Sequence, residues 1–301
     1  MTNPIRRCWP LFALLCWHPA ATAELIPDPR HDCEYCEAWS RAGEPFRVFG
    51  NTWFVGGGLS SILITSDKGH ILIDGGLTQS APQIAANITK LGFRLEDVKY
   101  ILNSHTHYDH AGGIAALQRA SGARIAASPA SKRALERGGP MEDDPQFGFG
   151  PEHNNFPAVA NVRALRDGET LRVGDIAITA HFTPGHTPGG TSWTWRSCDR
   201  GDCQDMVYAD SLNSISAPGY KFSADANREK AFERSIDTVA GLKCGILLTP
   251  HPEAFDLDAK LASRAGHPTV DPFIEPGACK VYAAGARERL TKRLADERAM
   301  P

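Results

Sequence analysis

Two periodicities of apolar residues alternate along this chain, and their order constrains the fold more than any other feature. Short strand-like segments come first, and residues 66–69 (SDKG) form a predicted hairpin loop between the last two. These strands are predicted at 46–49, 52–55, 61–65 and 70–74. A helical period follows at 80–91 and ends before Gly92, which suits a C-terminal helix cap.

The same succession of predicted strands and helices is then repeated in the rest of the chain. A buried strand is predicted at 100–102, a helix at 112–120, a strand at 124–128, a helix at 129–136 and an irregular stretch to about 160. Further strands are predicted near 162–165, 171–182, 191–195 and 206–209, then a helix at 226–240, a strand at 244–249 and a C-terminal helix from about 279. This order predicts two similar halves whose sheets face each other, with helices outside.

Residues 1–23 have the character of a secretory leader. Arg6 and Arg7 precede an apolar run over 9–17, and the sequence ATA at 21–23 fits a small-residue cleavage site. The run is shorter than the roughly 20 residues that a membrane-spanning helix needs. We therefore expect a periplasmic, monomeric protein that begins at Glu24 and has no membrane partner once the leader is removed. With 32 Lys and Arg against 35 Asp and Glu, nothing indicates a nucleic-acid partner.

Six cysteines follow the leader, an even number that suits an oxidising compartment. Two pairs are close enough in sequence to close locally, and a third pair would then remain. These pairs are Cys33 with Cys36, Cys198 with Cys203, and Cys244 with Cys279. Because six cysteines allow fifteen connectivities, the pairing stays open on sequence alone. A zinc knuckle is the competing interpretation, and it is disfavoured because no cysteine lies near the histidine cluster in sequence.

Residues 103–113 read NSHTHYDHAGG and hold four groups that can bind a metal ion. On a helix, His105 and His107 would point about 200° apart, whereas in an extended segment they share a face. They can therefore bind one ion only if the segment is not helical. Asp109 and His110 follow where the chain turns, and they project to a different place that could hold a second ion.

Four ligands do not complete two sites, because a catalytic zinc ion has three protein ligands and an open position. His186 lies in the sequence TPGHTPGG and His251 in LLTPHP. Both follow predicted strands in turns rich in Pro and Gly, a suitable place for ligands held on loops. The other histidines beyond the leader lack such a setting, and we expect surface or internally bonded side chains at His31, His70, His153, His181 and His267.

The pattern His105-x-His107-x-Asp109-His110, followed by His186 and His251, resembles the metallo-beta-lactamase superfamily from about residue 46 to the end. The resemblance implies an α/β fold, a four-layer αββα sandwich of two facing mixed sheets with outer helices, in one domain over 24–301.

Subclass B3 is the part of the superfamily that this chain resembles. Ser211 stands where other members carry a cysteine ligand to the second zinc ion. The sequences GNT at 50–52, TPGG at 187–190 and WTW at 193–195 are also similar to that subclass. The late cysteines Cys244 and Cys279 look like the subclass too, which supports their pairing.

The resemblance implies two zinc ions and a reaction. The first ion would be bound by His105, His107 and His186, and the second by Asp109, His110 and His251. A metal-bound hydroxide would attack the carbonyl of a β-lactam, conferring resistance to penicillins, cephalosporins and carbapenems. Asp109 would also orient the hydroxide and pass on its proton.

Substrate contacts are implied less directly. Neutral donors at Ser211 and Asn213 would bind the β-lactam carboxylate, although a Ser or Thr is usual at the second position. Gln146 could border the site or be an ordinary loop residue. Phe147, Phe149 and Phe156 could contact a substrate side chain or simply anchor the long loop.

Two other interpretations of these residues are open. Asp210-Ser211-Leu212 is similar to a turn in which lactonases and glyoxalase-type thioesterases of the superfamily carry an aspartate that bridges the metals. If Asp210 reached both ions, the substrate would be a lactone or thioester. A zinc-storing module is disfavoured, because six ligands in two sets of three leave open positions, whereas structural zinc sites are closed by four.

Overall fold

The computed structural model describes residues 25–266 and 270–299, and its strands form two sheets packed face to face. In spatial order, the first sheet contains β1 (Phe46–Phe49), β2 (Thr52–Phe54), β3 (Ile62–Ile64), β4 (His70–Ile73), β5 (Val98–Leu102), β6 (Arg124–Ala127) and β7 (Arg163–Ala164). The second contains β8 (Thr170–Val173), β9 (Ile176–Phe182), β10 (Thr191–Asp199), β11 (Asp202–Tyr208) and β12 (Ile246–Leu248). Both sheets are mixed, because β4 to β7 are parallel, as are β11 and β12, while the other pairs are antiparallel.

Helices cover the outer faces of this sandwich. In chain order they are α1 (Cys36–Trp39), α2 (Ala81–Lys90), α3 (Tyr108–Ala111), α4 (Ile114–Ser121), α5 (Pro129–Arg137), α6 (Pro151–Asn154), α7 (Ala226–Gly241), α8 (Leu257–Gly266) and α9 (Ala278–Ala299). Helices α2 and α4 pack on the first sheet, and α7 and α9 pack on the second. The predicted αββα sandwich is thereby confirmed. Among the described residues, no helix has both the length and the apolar character needed to cross a bilayer.

The strands are continuously apolar because both faces of the sheets are covered. In β3, Ile62 and Ile64 point into the core between the sheets, while Leu63 points to the helices outside, and all three are fully buried. Successive side chains of a strand alternate between its faces, so a doubly covered strand has no polar positions. This is why the pattern of 61–65 and 70–74 could be recognised in the sequence.

Several predicted boundaries differ from the structure. The strand predicted at 171–182 is two strands, because Gly174 adopts a left-handed φ of 58° and turns the chain into a hairpin. The hairpin of β10 and β11 is longer than predicted and ends with Asp199 opposite Asp202, one pair beyond Cys198 and Cys203. Asp109 and His110 lie on the short helix α3, and α1 and α8 have no counterpart in the prediction. The predicted leader and His267 lie outside the described residues.

The structure has disulfide bonds at the three cysteine pairs that the sequence left open. Cys33 is bonded to Cys36, Cys198 to Cys203, and Cys244 to Cys279. The last pair joins residues 35 apart in sequence and fixes the start of α9 beside the strand β12. The first pair fixes the start of α1, in the N-terminal segment that precedes the first sheet.

One edge of the sandwich collects the loops that carry the predicted site. The residues after β5, β9, β11 and β12 include all six predicted metal ligands. Hydrogen bonds join the two sheets there, and three of them lie directly beneath the cluster. They run from Trp193 Nε1 to the Asn103 carbonyl (3.2 Å), from the Thr191 amide to the Ser104 carbonyl (2.8 Å) and from Tyr208 Oη to Asp74 Oδ2 (2.8 Å).

Candidate metal centre

The histidine cluster begins in extended backbone directly after β5. His107 has φ −89° and ψ 154°, and α3 starts at the next residue. His105 and His107 therefore share a face, as the sequence predicts, and their ring centroids are 4.9 Å apart. The helical turn of α3 carries Asp109 and His110 to the other side of His105, whose ring centroid is 4.4 Å from that of His110. One loop thus supplies ligands to two places.

A first triad consists of His105, His107 and His186. One nitrogen atom of each ring lies within 4.8 Å of the corresponding atom of the other two, and all three rings are buried. His186 comes from the turn after β9, and its ring is 4.8 Å from that of His105 and 4.7 Å from that of His107. The structure therefore brings together the three side chains that were predicted to bind one ion.

The second nitrogen of each ring in the first triad contacts a protein oxygen. His105 Nδ1 lies 2.8 Å from Asp210 Oδ1, His107 Nε2 lies 3.2 Å from Asp144 Oδ1, and His186 Nδ1 lies 2.8 Å from the Asn213 carbonyl. Histidine ligands of metals generally have such an outer partner, which fixes the ring and leaves the other nitrogen free for the ion. The geometry of the first triad follows this rule at all three positions.

Burial and protonation in the first triad also suit a metal. His105 Nε2 is buried and has no hydrogen-bond partner among the described residues, a rare condition for a buried polar atom. Burial lowers the pKa of His105 well below its usual value and that of His186 to about 3, so both rings are neutral at neutral pH. A neutral imidazole is the form that binds metal ions. Burial opposes protonation of His107 as well, but Asp144 outweighs it and raises the pKa of that ring.

A second triad consists of Asp109, His110 and His251. Asp109 Oδ2 is 3.0 Å from His110 Nε2 and 3.3 Å from His251 Nε2, and the two ring nitrogens are 3.1 Å apart. Ligand atoms about 2.0–2.1 Å from one tetrahedral zinc ion are about 3.3 Å from each other. The triangle therefore has the size that a single ion would require. Burial alone would raise the pKa of Asp109, but His110 and His251 hold it well below its usual value, so the carboxylate is ionised.

The two triads are adjacent. Ligand atoms of His105, Asp109 and His110 lie within 4.8 Å of one another, so this group joins the first triad to the second. Ions in two-metal catalytic sites are about 3.5–4 Å apart. The spacing of the triads agrees with such a pair.

Asp74, which was not among the residues predicted from the sequence, supports the loop that carries the cluster. This fully buried residue follows β4 in a left-handed backbone conformation with φ 62°. Its carboxylate accepts hydrogen bonds from the Ser104 amide (2.7 Å), the Ser104 hydroxyl (2.7 Å), Tyr208 Oη (2.8 Å) and the Asn103 amide group (3.2 Å). An Asp before Gly75-Gly76 at a strand end is the signal in the sequence that could have revealed it.

Asp144 and Asp210 also have positions that the sequence analysis did not anticipate. Asp144 is buried in the long loop, where it accepts a hydrogen bond from the Gln146 amide at 2.8 Å besides contacting His107. Asp210 contacts His105 through Oδ1, on the side of the ring that faces away from the first triad. Burial raises the pKa of Asp210 well above its usual value, and a cation bound to His105 would oppose that shift.

Gly189 and Gly190 allow the turn after His186 to pack closely against Ser131 and Asp210. A Cβ atom on Gly190 would collide with Asp210 Oδ2, and one on Gly189 would collide with Ser131 Oγ. Neither collision involves the free end of a long side chain, so both positions require glycine for lack of space.

The predicted substrate-binding residues lie around the triads. Ser211 is buried, and its hydroxyl has no hydrogen-bond partner among the described residues. The backbone carbonyl of Asn213 contacts His186 Nδ1, and the backbone amide of Gln146 donates to Asp144 Oδ1. Both residues therefore lie beside the first triad. Of the loop aromatics, Phe156 is buried in the core under the first sheet, whereas Phe149 is 39% exposed.

The N-terminal segment lies beside the second triad. Trp39, at the end of α1, contacts the His251 ring edge-on at 5.5 Å, and His31 stacks on Tyr108 at 4.2 Å. His153 lies 5.1 Å from the same Tyr108 ring. His70 and His181 are remote from the triads and contact the Ser66 amide and Thr194 Oγ1.

Comparison with known proteins agrees with this geometry. A family model of the metallo-beta-lactamase superfamily matches residues 55–200. The solved structure of the Rm3 metallo-beta-lactamase is 51% identical and covers 89% of this chain and 99% of its own, with a TM-score of 0.85. This chain belongs to the metallo-beta-lactamase superfamily. MEM-A1, a subclass B3 metallo-beta-lactamase from a soil metagenome library, is 50% identical and covers 87% of this chain and 99% of its own, with a TM-score of 0.83.

Curated relatives in the superfamily match over shorter stretches. A probable metallo-hydrolase of Burkholderia pseudomallei is 35% identical over 116 residues, which are 37% of this chain and 35% of that protein. A hydroxyacylglutathione hydrolase of Rhodopseudomonas palustris is 33% identical over 137 residues, which are 46% of this chain and 41% of that protein. The chain thus spans less than half of each of these two relatives. Together the comparisons identify a superfamily hydrolase whose structural neighbours are subclass B3 enzymes.

Proposed function

We propose that this protein opens the β-lactam ring of penicillins, cephalosporins and carbapenems and thereby confers resistance to them. One observation carries the proposal. All six predicted ligands gather in two adjacent triads, in a chain that is similar to subclass B3 β-lactamases over almost their whole length.

Two zinc ions are the cofactors that the donor set fits. His105, His107 and His186 would hold the first, and Asp109, His110 and His251 the second. When bound, such ions lower the pKa of a water molecule to near 7 and polarise a carbonyl group, so that no serine or cysteine nucleophile is required.

The chain's own residues have separate roles in this proposal. Asp210, Asp144 and the Asn213 carbonyl hold the first-triad rings in place. The ionised Asp109 carboxylate orients the attacking water and takes up its proton. The Ser211 hydroxyl and the Asn213 side chain donate hydrogen bonds to the substrate carboxylate, and Gln146 borders the site.

A thioesterase or lactonase is the second candidate, and the partial similarity to a hydroxyacylglutathione hydrolase favours it. That activity would place Asp210 between the metals. Asp210 Oδ1 is instead in contact with His105 Nδ1, behind the first triad. The full-length similarity to β-lactamases and this contact both favour the β-lactam substrate.

Hydrolysis of a chromogenic cephalosporin by the purified protein tests the proposal. We expect turnover that is lost after chelation and restored by zinc, and that is lost in a His105→Ala variant but not in a Glu288→Gln variant on the exposed face of α9. S-lactoylglutathione and an acyl-homoserine lactone are assayed in parallel. Faster turnover of either compound than of the cephalosporin would replace the first candidate with the second.

We further propose that residues 24–301 form one monomeric domain that is exported to the periplasm after removal of residues 1–23. The three cysteine pairs support an oxidising location. Cell fractionation with N-terminal sequencing of the mature protein tests this, and an intact Met1 in the cytoplasmic fraction would contradict it.

A further inference from the structure

The outer supports of the two triads differ in burial. Each ring of the first triad contacts a protein oxygen, and two of these oxygens belong to Asp210 and Asp144, which are 0% and 2% exposed. In the second triad, His110 Nδ1 is buried and has no hydrogen-bond partner among the described residues. His251 Nδ1 lies 3.4 Å from Glu253 Oε1, and the side chain of Glu253 is 72% exposed. The second triad therefore depends on a support at the surface.

Local backbone structure places Glu253 beside His251. Pro252 begins a 3-10 turn over Pro252–Phe255, and the Ala254 amide donates to the His251 carbonyl at 3.1 Å. Thr249 Oγ1 donates to the same carbonyl at 2.7 Å. With the backbone held on both sides of His251, the carboxylate two residues later is directed to the ring nitrogen that does not face Asp109.

Trp39 completes the surroundings of the His251 ring. Its indole contacts the ring edge-on, with the ring centroids 5.5 Å apart. An indole edge, however, cannot accept the Nδ1 proton, whereas a carboxylate can. Glu253 is therefore the group that can fix which nitrogen of His251 faces the second triad.

We propose that Glu253 is a positioning residue for His251 and sets the affinity of the second metal position. The inference rests on the proposed function, because it assumes that Asp109, His110 and His251 bind an ion. Outer partners of metal-binding histidines typically contribute about 10–100-fold in affinity. Because Glu253 is largely exposed to solvent, its contribution lies at the lower end, at about tenfold.

Stepwise zinc binding to the metal-free full-length protein, measured by competition with a chromogenic chelator, tests this inference. The unchanged protein should bind two ions with unequal affinity, and Glu253→Ala should weaken the weaker step about tenfold while leaving the tighter step unchanged. Glu253→Gln keeps an acceptor oxygen without the charge and should weaken that step less than Glu253→Ala does. Glu288→Ala, an exposed glutamate on α9, is the matched control and should alter neither step.

Thermal unfolding of the metal-free proteins shows whether a loss of zinc affinity comes from a loss of stability. We expect the same unfolding midpoint for the unchanged protein and the three variants. Unchanged binding in Glu253→Ala, or equal weakening of both steps, would overturn the role of Glu253 while leaving the proposed function intact. If the unchanged protein itself binds fewer than two zinc ions, the proposed function fails first. The two failures are therefore distinguishable.

Discussion

The two halves of the metal centre are built on different principles. The first triad lies inside the edge where the sheets join, and each of its rings contacts a protein oxygen, two of them on the buried carboxylates of Asp210 and Asp144. The second triad lies toward the N-terminal segment, with Trp39 and the exposed Glu253 as its neighbours. Rigid support on one side and solvent-exposed support on the other imply that the two ions proposed for this centre would be held unequally. Binding of the second ion is then the step that surface mutations and solution conditions can tune.

Removal of a first-triad ligand should have the largest effect. His105→Ala deletes a ligand that also lies within 4.8 Å of Asp109 and His110, so it disturbs both triads. We expect kcat/KM for a chromogenic cephalosporin to fall about a thousandfold or more, since several kcal/mol of transition-state stabilisation are lost.

Removal of a second-triad ligand should leave the first triad able to bind zinc. His251→Ala should therefore retain one zinc ion per protein molecule by elemental analysis. A His251→Ala protein without zinc would reverse the ranking of the two triads.

Asp74→Ala should reduce stability rather than alter one triad alone. The substitution leaves buried donors of Ser104 and Tyr208 without their acceptor. Unsatisfied buried donors cost about 1–3 kcal/mol each, so we expect a loss of about 3–5 kcal/mol in the free energy of unfolding. Denaturant unfolding of the metal-free protein measures it, with the exposed Asp67→Ala in the hairpin loop as control. A loss below about 1 kcal/mol would show that water replaces the carboxylate.

Asp144→Ala tests the buried support directly. It removes the acceptor of His107 and of the Gln146 amide, and we expect the tighter zinc-binding step to weaken about 10–100-fold. The neighbouring Asp143→Ala keeps its backbone carbonyl, which accepts from Arg228, and should leave this step unchanged. If the buried support is the stronger one, Asp144→Ala should weaken zinc binding by a larger factor than Glu253→Ala does. The opposite order in the same titration would contradict it.

The smallest predicted effect is the change with pH in the affinity of the second zinc-binding step. Burial lowers the pKa of His251, but Asp109 and Glu253 outweigh it and raise the pKa to about 9 in the metal-free protein. His251 is therefore protonated at neutral pH, and an ion must displace that proton. The apparent affinity of the second step should rise by up to about tenfold per pH unit from neutral pH and level off near 9. Calorimetry in buffers of different ionisation enthalpy should detect the released proton. An affinity of the second zinc-binding step that does not change with pH would refute the prediction.

Much of this site could be predicted because its ligands occupy recognisable places in the sequence. His105 and His107 are two residues apart after an apolar strand, and His186 and His251 follow strands in Pro-containing turns. The supports could not be predicted in the same way. Whether Asp144 or Asp210 touches a histidine depends on how loops from distant segments meet, and no local pattern records that meeting.

The turn at Gly189 and Gly190 has an evolutionary consequence. A side chain at either position would push against Ser131 or Asp210, and movement of Asp210 would release the His105 ring. If the protein hydrolyses β-lactams as proposed, substitutions that adapt it to new substrates should therefore be rare in this turn. Exposed positions such as Phe149 and Ile215 can be substituted at little cost in stability, so changes there are better tolerated than changes in the turn.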